Sequence, residues 1–191
     1  IQDRARRERA EQLEVARAGL VDTGQEAVHD ARRPARGEPV RRDATPGGEP
    51  MIAYWALPPD EALVVRVRPP VCRYWAVEFG NFWWTTMDYR YRLSNTNCHY
   101  AQLEDDGELV VVIAHEDPGL PNWLDTSGFA EGYVTYRWML AQGCPEPQAV
   151  QVKTAQLHRH LPPNVKRITP EARREQLAAR RRGVVNRFGN L

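Results

Sequence analysis

The stretch Gly132-Tyr-Val-Thr-Tyr-Arg-Trp-Met-Leu140 decides the fold. Val134, Tyr136, Trp138 and Leu140 fall on one side of an extended chain, and Tyr133, Thr135, Arg137 and Met139 on the other. Nine residues of strict alternation, rich in aromatic and β-branched side chains, predict a half-buried strand. The same period recurs upstream. Leu63, Val65 and Val67 oppose Arg66 and Arg68 within Glu61–Arg68, and Trp75, Val77 and Phe79 share one face of Arg73–Asn81. Tyr89 and Tyr91 oppose Asp88, Arg90 and Arg92, which reads as a further short strand. Leu109–Ala114 is apolar on both faces, the pattern of a strand in the middle of a sheet. It is preceded by Asp105-Asp106-Gly107, a hairpin signal that joins it to an expected strand over Asn97–Leu103. Ile52–Ala56 and Ala149–Leu157 complete the set. Short strands at regular spacing, separated by turn signals, predict an antiparallel, jelly-roll-like β-sandwich.

The ends read differently. All 6 Trp, 7 Tyr and 4 Phe lie beyond residue 50, so the core is expected after that point. Residues 1–20 carry Leu13, Ala16 and Leu20 at helical spacing, and 24–50 is a Pro/Gly/Arg-rich stretch of linker composition. We therefore expect an N-terminal helical arm and linker over 1–50 and the sandwich over 51–191. A C-terminal helix follows, capped by Thr169-Pro170, with Leu177, Val184 and Phe188 as its inner face. The thin apolar stripes of the two terminal helices suggest a homo-oligomer built through them. The chain begins at Ile1 rather than Met, which reads as a cut start, so nothing follows from the lack of a signal peptide.

Composition narrows the function classes. The chain has 191 residues and a net charge of +1, which argues against a general nucleic-acid binder. Mean hydropathy is -0.62, and no apolar run reaches the ~20 residues of a membrane span. Cys72, Cys98 and Cys144 are too few and too scattered for a disulfide scaffold, which favours a reducing, cytoplasmic setting. Cys72 and Cys98 fall in expected strands as small hydrophobes, and Cys144 is expected at the surface. No nucleotide-binding glycine loop or nucleophile elbow is present, so no cofactor is expected.

Candidate chemistry gathers in His115-Glu-Asp-Pro-Gly-Leu-Pro-Asn-Trp-Leu-Asp-Thr-Ser-Gly128. Two prolines and two glycines make a stiff, shaped loop that carries His115, Asp117, Asn122, Trp123 and Asp125. The bland reading is a structural corner built from good turn formers. The sharper one is an enzyme with His115, Asp117 and Asp125 as acid–base candidates. His115 and Asp117, with His158 or His160, have the composition of a two-His, one-carboxylate iron site. The third ligand would come from a segment heading for the surface, so we expect no metal.

Adjacent Trp83 and Trp84 must point to opposite faces of an extended chain, so one of them is free to line a groove. Flanking Asn81, Asn95 and Asn97 would suit a sugar or a flat ligand. Arg66, Arg68, Arg90, Arg92 and Arg137 sit opposite the apolar face, where neighbouring strands could bring them together as an anion clamp. Ion pairing with Glu78, Asp88 and Glu131 is the ordinary alternative. Arg180-Arg181-Arg182 reads as a solvated helix face.

Glu61-Ala-Leu-Val-Val, Tyr74-Trp-Ala-Val-Glu-Phe-Gly-Asn-Phe-Trp-Trp, Asp88-Tyr-Arg, Asp117-Pro-Gly-Leu-Pro-Asn-Trp-Leu-Asp-Thr and Gly132-Tyr-Val-Thr-Tyr-Arg-Trp together resemble the bacterial domain of unknown function 1214. The resemblance runs from about Met51 to the end of the chain. It implies a jelly-roll-like sandwich, often the C-terminal part of a longer protein, and brings no catalytic residues with it. The sequence reading is thus a β-sandwich that binds a small organic ligand in an aromatic- and Arg-lined cleft. The expected lining is Trp83, Trp84, Arg90, Asn122, Trp123 and Arg137, with an enzyme or an oligomerisation module as alternatives.

Overall fold

The computed structural model describes residues 40–41 and 48–189. The expected helix over 1–20 lies outside them. In chain order the strands are β1 (Val40–Arg41), β2 (Gly48–Ala56), β3 (Glu61–Val67), β4 (Tyr74–Asn81), β5 (Asn95–Asn97), β6 (Leu109–Ala114), β7 (Trp123–Asp125), β8 (Glu131–Met139) and β9 (Gln148–Lys153). A 3-10 segment, Thr154–Arg159, and one helix, α1 (Pro170–Phe188), follow. The strands form a β-sandwich of two sheets, ordered β1-β2-β8-β4-β5 and β7-β6-β3-β9. Every pairing is antiparallel except β6 with β7, which run parallel.

The alternating stretch becomes β8, between β2 and β4, with Val134, Tyr136 and Trp138 at most 1% exposed. Their side of the sheet faces Leu63, Val65 and Val67 of β3 and Leu109, Val111 and Ile113 of β6 in one apolar cluster. β6 is apolar on both faces because a second cluster forms behind it. Val110, Val112 and Ala114 pack there with Leu120, Val152, Leu157 and Leu161. The Tyr136 hydroxyl and the Trp138 indole N–H are buried without a hydrogen-bond partner. Burial pushes the Tyr136 phenol up, so it stays protonated.

Four local expectations are corrected. Asp88–Arg92 is a turn, not a strand, because the Asp88 carboxylate accepts the backbone N–H groups of Arg90 (3.1 Å) and Tyr91 (3.3 Å). Asn97 does the same to His99 (2.9 Å) and Tyr100 (3.2 Å), ending β5 where a strand was expected to continue. Side-chain-to-backbone bonds of this kind compete with a ladder and override alternation. The segment read as linker enters the sheet: β1 pairs with β2, and β2 starts at Gly48. Finally, Cys98 is exposed, while Cys72 and Cys144 are half-buried against the core. Burial pushes the Cys72 thiol up, aided by the nearby Cys98.

Helix α1 starts as expected, with the Thr169 hydroxyl accepting from Ala172 N–H at 3.2 Å. Its docked face differs. The buried residues are Arg173 and Arg180, while Leu177 and Val184 are half-buried and Phe188 is exposed. All five N–H donors of Arg173 find acceptors: both Asp117 carboxylate oxygens (2.8 and 3.0 Å), the Leu120 and Pro121 carbonyls, and Gln176. Arg180 donates to the carbonyls of Tyr89 (2.8 Å) and Asn95 (3.0 Å) and to the Asn95 side chain. The helix is therefore held by guanidinium groups seated on loop carbonyls, and the long arginine stems bury in place of leucines.

Candidate functional site

The His115–Gly128 loop is a corner whose polar groups bond within the fold. The His115 ring meets the Leu57 carbonyl at 3.0 Å through Nε2 and the Thr126 hydroxyl at 3.0 Å through Nδ1. Asp117 caps Gly119 N–H and holds Arg173. Asp125, 7% exposed, pairs with Arg92 at 2.9 Å and accepts Ser127 N–H at 2.8 Å. Asn122, 4% exposed, clamps Gln102 through both its N–H (2.9 Å) and its carbonyl (2.7 Å), and reaches the Val110 carbonyl at 3.1 Å. Trp123 donates to the Ala114 carbonyl at 3.0 Å and lies under the Arg173 guanidinium. Each of these polar side chains is committed to a backbone or ion-pair partner, which is what a buried loop needs. His158 and His160 are exposed, and among the described residues no three His, Cys, Asp or Glu side chains gather as a metal site. A recess of about 420 Å3 does lie beside His115, lined also by Asp60, Glu116, Lys153 and Gln156. Its charges are largely spent on one another: Lys153 pairs with Asp60 at 2.7 Å and with Glu61 at 3.0 Å.

Trp83 and Trp84 form the tip of a turn. Trp84 N–H donates to the Asn81 carbonyl at 3.2 Å, and the Asn81 side chain accepts from Trp83 (3.0 Å) and Thr85 (3.1 Å). This places Trp84 at φ 60°, a left-handed conformation costing a bulky residue roughly 1–3 kcal/mol. Trp84 stacks on Tyr133 with ring centroids 4.0 Å apart, and Tyr133 in turn lies over Gly80, where a Cβ would come within 2.2 Å of its ring. Trp83 stands edge-on to Phe82 and is 69% exposed. The flanking asparagines bond within the fold: Asn81 and Asn97 brace turns, and the Asn95 side chain accepts from Arg180.

The arginines separate. Arg66 pairs with Glu108 at 2.6 Å, Arg68 with Asp106 at 3.4 Å, and Arg137 with Glu78 at 3.1 Å, so the sheet-face clamp does not form. Arg90 stands apart from Arg137, in a groove of about 540 Å3 between the Asp88–Arg92 turn and α1. Tyr91, Arg181, Arg182 and Asn186 line it with the apolar Leu177, Ala178 and Val185. Arg181 lies over the Tyr91 ring at 5.7 Å. None of Arg90, Arg181 and Arg182 has a carboxylate partner among the described residues. Arg180 fixes the geometry by tying α1 to the turn through the Tyr89 carbonyl. Burial draws its own pKa down, yet it stays charged.

Of the expected ligand residues, only Arg90 lies in this groove. Tyr91, Arg181 and Arg182 escape a sequence reading. Ala178, Arg181, Arg182 and Val185 do share one helix face by spacing, but that face gains meaning only when a turn some ninety residues upstream is set against it.

No family model matches the chain, and no curated protein matches it. Among solved structures, an uncharacterised protein of Burkholderia cenocepacia is 33% identical with a TM-score of 0.59, over 62% of this chain and 35% of that one. A protein of Vibrio parahaemolyticus matches at 16% identity and a TM-score of 0.41, over 55% of this chain and 31% of that one. The matched part of this chain thus spans about a third of the length of either solved structure.

Proposed function

We propose that this β-sandwich binds a small organic anion in the groove between the Asp88–Arg92 turn and α1. The observation that carries the reading is the convergence of Arg90, Arg181 and Arg182, unneutralised by any described carboxylate, on one concavity of ligand size with an apolar floor. Three like charges held together repel, and an anion relieves that repulsion while taking directed guanidinium donors. Leu177, Ala178 and Val185 offer contact to an apolar body, so an aromatic or branched carboxylate suits the groove better than an inorganic ion. The enzyme alternative centred on His115, Asp117 and Asp125 has less support, because each of the three already serves the fold. The quoted motifs support placing the chain with the domain of unknown function 1214, and with it a jelly-roll topology. The small number and scatter of Cys72, Cys98 and Cys144 along the chain support a cytoplasmic setting.

The test is a thermal-shift series with benzoate, naphthoate, citrate and inorganic phosphate on the whole chain. A ligand at ten times its Kd should stabilise by about 1.4 kcal/mol. For a chain of this size that is about 3–6 °C in Tm. We expect naphthoate or benzoate to give the larger shift and Arg90→Glu/Arg182→Glu to abolish it. No shift with any of the four, or one that survives the charge reversal, refutes the reading.

A further inference from the structure

We infer that the Asn81–Thr85 turn is a second binding surface, a stacking platform for the face of a neutral pyranose sugar. The turn frame is made by Asn81, which is 7% exposed and supplies both its carbonyl and its side-chain oxygen to the backbone that follows. That frame asks for glycine at position 84, where φ is 60°. Tryptophan stands there instead and recovers only one ring face against Tyr133, remaining 52% exposed. Trp83, at 69%, contributes still less to the core. Strain accepted for a side chain that the interior does not use points to a role at the surface.

The platform is rigid from beneath. Gly80 lets the Tyr133 ring lie on the strand backbone, and Trp84 stacks on that ring at an interplanar angle of 25°. Little freedom is left to lose on binding. The turn itself is uncharged: from Asn81 to Met87 there is no charged residue, Thr85 and Thr86 are exposed, and the nearby Glu78, which acts on Tyr133, is paired with Arg137. An uncharged pair of indole faces bordered by hydroxyl groups complements a ring with an apolar C–H face and a hydroxyl rim. With no basic residue in the turn and Arg137 nearby paired to Glu78, little attraction draws the turn to an anionic lipid surface. The lack of basic residues in the turn also sets the surface apart from the arginine groove, so the two readings stand or fall separately.

The experiment titrates cellohexaose, maltohexaose, chitohexaose and xylohexaose into the whole chain, following tryptophan emission and calorimetric heat. We expect saturable binding of at least one, weakened at least tenfold by Trp83→Ala and by Trp84→Gly. We also expect Trp84→Gly to leave Tm unchanged or raise it, since glycine fits the turn better. Three outcomes overturn the inference: none of the four sugars binds up to about 10 mM, a concentration at which even weak contacts register; a sugar binds but both Trp83→Ala and Trp84→Gly retain its affinity; or Trp84→Gly lowers Tm by many degrees, which makes Trp84 a packing residue. In the first case, a change in self-association or in binding to phosphatidylcholine vesicles on Trp83→Ala identifies the contact. That contact would be with protein or lipid.

Discussion

Replacing Arg173 with methionine tests the claim that α1 is docked by buried guanidinium chemistry. The variant keeps most of the stem volume and removes every donor. Asp117, about a third exposed, regains water, and Gln176 continues to serve the Pro121 carbonyl at 3.0 Å. The Leu120 carbonyl, in a residue only 2% exposed, keeps only the longer bond from the Trp123 N–H at 3.3 Å. Losing hydrogen bonds to a charged group costs about 1.5–3 kcal/mol, and the weakened satisfaction of the Leu120 carbonyl adds to that. The expected loss is thus about 2–4 kcal/mol, below the full cost of stranding a buried charge because Asp117 regains water. A double-mutant cycle with Asp117→Asn isolates the pair itself, and Arg137–Glu78 supplies the internal control. The Arg173 side chain is 7% exposed and that of Asp117 34%, against 46% and 49% in the control pair. Bidentate geometry and burial should give a coupling of about 1.5–3 kcal/mol for the first. The exposed control should give about 0.2–1 kcal/mol. Urea unfolding followed by far-ultraviolet circular dichroism and by tryptophan fluorescence measures both, and amide exchange in α1 reports local undocking. Equal couplings in the two cycles would refute the reasoning.

Four further outcomes are expected. The Lys153 hydrogen bond holds Asp60 below its ordinary 3.8, Gln151 and then Lys153 hold Glu61 below 4.5, and Asp60 with Glu61 holds Lys153 above 10.5. The carboxylates therefore contribute stability above their ordinary range that disappears as pH falls through their lowered values, and Lys153 contributes below 10.5 and loses it as pH rises through its raised value. Carboxyl-carbon NMR titration should show Lys153→Met returning Asp60 close to normal and Glu61 only partly so. Asn122→Ala, which frees both backbone groups of Gln102 and the Val110 carbonyl, should cost about 2–4 kcal/mol in urea unfolding, and Asn122→Asp should cost more because it loses the donor and buries a charge. Gly132→Ala should fail to give folded protein on a gel-filtration column, since its Cβ would sit 2.0 Å from the Gly80 carbonyl in the backbone of the neighbouring strand. His115→Ala should lower stability by about 1–3 kcal/mol through the Leu57 and Thr126 bonds, while the naphthoate-induced Tm shift is retained.

The sequence by itself determined the layers. β8, β4, β3 and β6 are legible because the side-chain period of a strand is local, and a run such as Leu109–Ala114 declares burial on both faces without reference to anything else. The Thr169-Pro170 start of α1 is legible for the same reason, since a cap involves neighbours three residues apart. The turns at Asp88 and Asn97 lay within reach too, because the deciding bonds run to residues two and three further on; alternation concealed them. What only the tertiary structure decided is where polar side chains go. An arginine on a helix carries no local mark of being buried, because its burial depends on carbonyls that the fold delivers from elsewhere: Leu120 and Pro121 to Arg173, Tyr89 and Asn95 to Arg180. The groove has the same origin, since Arg90 meets Arg181 and Arg182 only when α1 folds back on the turn. Hydrophobic period is written along the chain, whereas the partners of a charge are fixed by distances between segments that the chain itself keeps far apart.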